Sequence, residues 1–362
     1  MAVPLTPDDA TKLVTKLLDL YATAEADLLA RITASVEKGI DEPEWAHRQL
    51  LELQRFRREA QATLADLSKK AQLAGGTAVG SATNQGAAYA LADLNSAMTP
   101  PAPITATPVN LEAVSALAAD LARVTSTTNA TVLRSVDDIY RRVVADMTTQ
   151  ELLGTASRRE LAEKALARLA RGGITGFVDK AGRKWEMTTY IESASRAATM
   201  NATIEGHAQQ LQAQGRDLVM ISDVPQECAK CRPWEGRIVS LGGAVAGSIT
   251  PDGKKVAGSL AQARAEGLFH VNCRHSLAAY FPGVTKGFGE TADPQGDKDR
   301  QRLRLLERRV RAAKREELLA LTPEGVKAAS AKVRALQAQI REHVETTTAK
   351  RQPHRERINA AR

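Results

Sequence analysis

Apolar residues recur every three or four positions through much of the first half of the chain. Leu13, Leu17, Leu20, Leu28, Ile32 and Val36 keep this spacing or its sums, and Leu50, Leu53, Leu64 and Leu67 resume it after a break from Gly39 to Pro43. A helix turns once in 3.6 residues, so this pattern marks one apolar face, and the two runs predict a helical hairpin. The hairpin either packs within the chain or forms a coiled coil with a partner. From Ala74 to Asn110 the composition shifts to Gly, Ala, Thr and Pro. There the pattern predicts at most a short helix over 85–94, followed by a flexible joint at 98–110 that holds Pro100, Pro101, Pro103 and Pro108. Helical spacing returns at Leu111, Val114, Leu117, Leu121 and Val124, again at Val132, Val136, Ile139, Tyr140 and Val143, and in a shorter helix over 158–171.

The texture changes at Gly172. Residues 174–178 and 184–187 flank a turn containing Asp179 and Gly182, which predicts a β-hairpin. A helix over 188–213 follows, closed by Gly215, and then strands at 217–222 and 237–241 on either side of a cysteine loop. Beyond a polar, Gly-containing bridge at 284–297, Leu303, Leu306, Val310, Val326, Val333, Leu336 and Ile340 form the stripe of a charged helix that Pro323 divides in two. Residues from Arg351 onward are expected to fray until bound. The fold class predicted is mainly α with a small α+β module. Its parts are a helical hairpin or coiled-coil region (1–97), a Pro-rich linker (98–110), a helical region (111–172), the α+β module with its Cys/His staple (173–283), a second linker (284–297) and a basic helical tail (298–362).

Composition sharpens this picture. At 362 residues the chain suits two or three domains, and with aromatics at 4% its helices must pack largely on alanine and other small residues. The formal charge of +8 is unevenly placed: from Lys298 to the end there are 18 Lys and Arg against 8 Asp and Glu, and before it 32 against 34. A basic tail on a nearly neutral body points to a polyanion or an acidic protein surface as partner, with a solvated mixed-charge helix as the plain alternative. Arg302, Arg304, Arg308, Arg309 and Arg311 are the candidate contacts, and their grip on phosphates would be sequence-independent and salt-sensitive. Residues 1–20 carry Asp8 and Asp9 and no unbroken apolar run, so neither a signal peptide nor a membrane span is expected there.

The chemistry gathers on three cysteines. Cys228 and Cys231 form a C-x2-C knuckle, and His270 and Cys273 repeat the spacing as H-x2-C. Two such hooks suit one tetrahedral ion, and zinc in a structural role is the expected cofactor, with His275 a rival to His270 as fourth ligand. The alternatives are small buried side chains or an incidental disulfide. A catalytic zinc would need an open position and a general base, and neither H-E-x-x-H nor the H-x-E plus P-C-x-x-C pairing of zinc deaminases is present. A zinc-containing His-Asn-His-like DNA nuclease is a second possibility, since His270, Asn272 and His275 stand together, but no acidic partner lies between Phe269 and Tyr280.

Three blocks of this region resemble the phage minor capsid protein 2 family. Phe269-His270-Val271-Asn272-Cys273-Arg274-His275-Ser276-Leu277 with Phe281-Pro282-Gly283 is similar to its asparagine-cysteine-arginine-histidine motif and following proline-glycine. Trp234-Glu235-Gly236-Arg237 entering a strand is similar to a second block, and Gly176 to Trp185 with Tyr190 and Arg196 to a third. The paired hooks also resemble the wider class of Mu F-like head-morphogenesis proteins, in which such residues staple the C-terminal module. Two positions depart from the family pattern: Ala197 stands where a threonine is frequent, and His270 where a cysteine is frequent. The resemblance implies a structural minor capsid protein of a tailed bacteriophage, not an enzyme. It implies synthesis in the host cytoplasm and a place inside the virion head near the portal, acting in head morphogenesis. Its implied partners are the portal protein, the major capsid or scaffold protein and packaged DNA, with self-association into a homo-oligomer and no membrane. A DNA-binding protein delivered with the genome is the remaining alternative.

Overall fold

A computed structural model describes residues 7–97, 106–108, 110–152, 157–271, 273–287 and 292–358. It is mainly helical, 68% of residues, with a small strand module. In chain order the elements are α1 (Pro7–Glu37), α2 (Trp45–Ala97), α3 (Leu111–Leu152), α4 (Arg158–Gly172), β1 (Thr175–Val178), β2 (Lys184–Glu186), α5 (Met187–Ala213), β3 (Leu218–Ile221), β4 (Ile238–Ser240), β5 (Val256–Ser259), α6 (Leu260–Ala265), β6 (Leu277–Ala279), α7 (Pro294–Leu319) and α8 (Pro323–Thr346). Among the described residues, no helix is long and apolar enough to cross a membrane. Most of the joint expected at 98–110 lies outside the described residues.

The chain forms two compact units and passes between them repeatedly. One unit holds Met1–Lys16, Gln72–Arg123 and Glu192–Lys298; the other holds Leu17–Ala71, Val124–Ile191 and Asp299–Arg362.

In the first unit the segment read as a short helix at most is the second half of α2, which runs unbroken through Gly75, Gly76, Gly80 and Gly86. Tertiary packing overrides the poor helix propensity of glycine here. A Cβ added at Gly86 would collide with the Thr203 carbonyl, and one added at Gly206 with the Thr83 carbonyl, so each glycine admits the backbone of the other helix. Asp93 fixes the same crossing to the sheet: its Oδ2 accepts from His207 Nε2 at 3.1 Å and from the Ala279 amide at 2.9 Å. The sheet has the order β5-β4-β3-β6, antiparallel except for the β4–β5 pair. Strands β5 and β6 and helix α6 were not foreseen; each spans six residues or fewer, too short for a periodic signal to accumulate.

The second unit is built from α1, most of α3, α4 and the first half of α2. Leu17, Leu28, Ile32 and Val36 are fully buried, as the pattern predicts. Leu50 is 61% exposed, because the buried position of that turn is taken by Gln49, whose amide meets the Tyr140 hydroxyl. Val326 lies off the stripe of α8. The β1–β2 hairpin belongs to this unit. Helices α7 and α8 pack through Leu303, Leu306, Val310 and Ala313 against Val333, Leu336 and Ile340. Residues 353–356, expected to fray, form a short helical turn in which buried Glu356 receives both Arg351 Nε and Nη2.

A cluster of buried charge lies in this unit. Arg315, 1% exposed, donates to the Ala170 carbonyl at 2.8 Å and to Glu186 at 2.9 Å, and its Nη1 faces Glu25 at 3.9 Å. Arg311 donates to Thr189 at 2.9 Å and lies 3.6 Å from Glu186. Burial pushes the Glu25 carboxyl above its ordinary range, with Arg315 pulling against it. For Glu186 burial acts in the same sense, but Arg315 and Arg311 outweigh it and hold the group below its ordinary value.

Candidate metal centre

The two hooks meet because they sit at the same end of adjacent antiparallel strands. Strand β3 ends at Ile221, paired with Leu277 at the start of β6. Beyond that register Ser222 and Ser276 exchange hydrogen bonds, the Ser222 amide to the Ser276 carbonyl at 3.0 Å and the Ser276 amide to Ser222 Oγ at 2.9 Å. The chain leaving β3 therefore emerges beside the chain entering β6, and the knuckles face one another across 42 residues of sequence.

Each hook is closed by the same local turn. The Cys231 amide donates to the Cys228 carbonyl at 3.1 Å, and the Cys273 amide to the His270 carbonyl at 2.8 Å. Near each hook a non-glycine residue adopts a positive φ, Gln226 at 65° and Phe269 at 59°. Such a conformation costs on the order of 1–3 kcal/mol, so the surrounding packing must hold it. Arg274 bridges the hooks by donating to the Pro225 carbonyl at 3.1 Å and to Gln226 Oε1 at 3.3 Å.

Cys228 Sγ lies 3.0 Å from His270 Nε2, Cys231 Sγ 3.6 Å from Cys273 Sγ, and Cys273 Sγ 3.4 Å from His275 Nδ1. Two triads result, Cys228–Cys231–His270 and Cys231–Cys273–His275, joined through Cys231. Cys231, Cys273 and His275 are buried in a core that includes Trp234, Leu268, Phe269 and Leu277. Each histidine turns its outer ring nitrogen to an acceptor: His270 Nδ1 to the Val271 carbonyl at 2.7 Å, and His275 Nε2 to Glu235 at 2.7 Å. With the proton on that side, the nitrogen facing sulfur carries a lone pair, the tautomer that ligation requires.

The electrostatics favour a thiolate at Cys273 and a thiol at Cys231. The hydrogen bond from Cys231 draws the Cys273 thiol down to about 4, with His275 reinforcing it, while the same bond and burial push Cys231 upward. Burial opposes charge on His275, yet Cys273 and Glu235 together raise it. Thiolate sulfur and imidazole nitrogen in this number suit zinc. A cavity of about 10 Å³ lies beside His270, Cys273 and His275, lined also by Arg196, Met200 and Phe269.

Sequence reading missed Glu235. The nuclease reading lacked an acidic partner near the histidines, and the fold supplies one from 40 residues upstream. His275 is 2% exposed. Asn272 lies outside the described residues. Among the arginines of the tail, Arg302, Arg308 and Arg309 are exposed; Arg304 is half-buried on Glu307 and Gln352, and Arg311 is buried in the charge cluster.

A curated structural protein of Lactococcus phage LL-H is 24% identical over 215 residues, which cover 57% of this chain and 57% of that protein. No solved structure matches. The profile of phage minor capsid protein 2 matches residues 5–345, nearly the whole length. The chain belongs to the phage minor capsid protein 2 family, and so to the structural proteins of the phage particle.

Proposed function

We propose that the protein is a virion component that acts in assembly of a tailed-phage head, inside the capsid and close to the portal. The family match over residues 5–345 carries this reading. The burial of Cys231, Cys273 and His275 supports it, since a catalytic metal would need an accessible coordination position. Portal and capsid or scaffold proteins are the proposed partners, and self-association through exposed helical surface is part of the same reading. Contact with packaged DNA is assigned to Arg302, Arg308 and Arg309, the exposed ones among the five candidate arginines. In this reading zinc is held by Cys228, Cys231, His270 and Cys273, because both hooks close through the same turn; His275, backed by Glu235, is the rival ligand. When bound, the metal would supply a cross-link between two loops and no turnover.

The test is fractionation of purified heads followed by mass spectrometry and cross-linking. The protein is expected in DNA-filled heads, cross-linked to portal, and heads that lack it would overturn the reading. Metal analysis of the purified chain should give about one zinc per chain by the four-ligand count. Cys231→Ser should lose the metal, and the histidine whose alanine variant loses it is the fourth ligand. Plasmid nicking abolished by His275→Ala would instead support the nuclease.

A further inference from the structure

The second unit carries an open groove of about 760 Å³ that the proposed centre and the tail do not use. Its floor is apolar, formed by Ile139 and Val143 of α3, Ala165 and Leu169 of α4, and Val178 of β1, the last 46% exposed. Its rim is cationic. Arg134, Arg142, Arg168 and Lys184 stand against two carboxylates, Asp138 and Asp146. Asp146 is taken by Arg168 at 3.3 Å, whereas Arg134, Arg142 and Lys184 are exposed. The groove follows α3 from Thr131 to Asp146, about 22 Å at 1.5 Å per residue. Four turns of a helix have that length.

We infer that this groove is a docking site for an acidic amphipathic helix of a partner protein. The apolar floor receives the residues at i, i+3, i+4 and i+7, and the cationic rim meets Glu or Asp on the flanks. Nucleic acid fits less well. Asp138 lies one helical turn from both Arg134 and Arg142, so a phosphate backbone laid along α3 meets a carboxylate between its two cations. The apolar floor also offers a phosphate backbone nothing. A peptide with an apolar face satisfies floor and rim together.

The experiment uses the full-length protein and a fluorescein-labelled 16-residue peptide of Glu, Leu and Ala with Leu at helical spacing, read by fluorescence anisotropy. Saturable binding that weakens as salt rises is expected. Arg134→Glu with Arg142→Glu, on exposed helical positions, should weaken it at least tenfold, and Val178→Asp should weaken it with the rim intact. Arg302→Glu with Arg309→Glu should leave it unchanged, which separates the groove from the tail. Circular dichroism of each variant checks that the helices persist. The proposal is overturned if the peptide does not saturate, if the rim variant binds as the parent does, or if a 16-base-pair duplex binds and is lost on the same rim substitutions.

Discussion

The Cys/His hooks of the first unit and the arginine–glutamate cluster of the second both tie distant segments together with polar atoms in apolar surroundings. They differ in what completes them. Arg311 and Arg315 face Glu25 and Glu186, so positive and negative charge balance within the protein. The hooks instead gather sulfur and nitrogen, with Cys273 favoured as a thiolate and His275 raised toward its cationic form beside it. A balanced cluster closes on itself, while under the proposed zinc reading the donor set would be completed by an ion.

The sharpest way to break the comparison is to unbalance the balanced side. Arg315→Met leaves Glu25, buried, and Glu186, half-buried, without their main partner and should destabilise by about 3–5 kcal/mol in denaturant unfolding; Glu25→Gln added to it should recover part of the loss. A cost below 1 kcal/mol would mean that the cluster holds nothing together. The donor-only side should respond to metal instead. A chelator, or Cys231→Ser, should lower stability by about 2–4 kcal/mol, the range for cross-links that close loops of this length, and the chelator should leave the Cys231→Ser protein unaffected. A steric control comes next. Gly206→Val places a side chain against the Thr83 carbonyl and should cost about 1–3 kcal/mol by overpacking, with no metal or pH dependence.

The smallest effect concerns the β1–β2 turn. Asp179 accepts from the Arg183 amide, which chiefly lowers its carboxyl, and from Arg183 Nε and Trp185 Nε1; it is held at about 2, below its ordinary value of 3.8. Because the folded value is the lower, its contribution is complete above about pH 4 and fades as pH falls toward 2. Asp179→Asn should remove that part of the acid slope, visible as stabilities of variant and parent that converge between pH 4 and pH 2; parallel curves would count against it.

The two staples also differ in how far they could be read in advance. The hooks declare themselves by spacing, C-x2-C and H-x2-C, and the fold brings those residues together. Arg315 gives no such sign, since its partners Glu25, Ala170 and Glu186 are more than a hundred residues away and nothing local sets it apart from its basic neighbours. Glu235 was hidden for the same reason. The long helices were legible from their apolar stripes, though Leu50 and Val326 fell off them and Gln49 replaced one expected apolar contact. The second half of α2 was not legible, because its stabilisation comes from backbone approach at Gly86 and Gly206, which carry no hydrophobic signal.

The interleaving of the two units has a consequence for how the chain acquires its shape. Each unit is assembled from three separate stretches, and the first is complete only when residues near position 90 meet those beyond 270. Few native contacts of that kind can form until most of the chain has been synthesised, so folding should be slow and late, in keeping with the rates of topologies rich in non-local contacts. A nascent chain would spend that interval with apolar helix faces uncovered, the period in which a chaperone or an assembly partner has most to offer it.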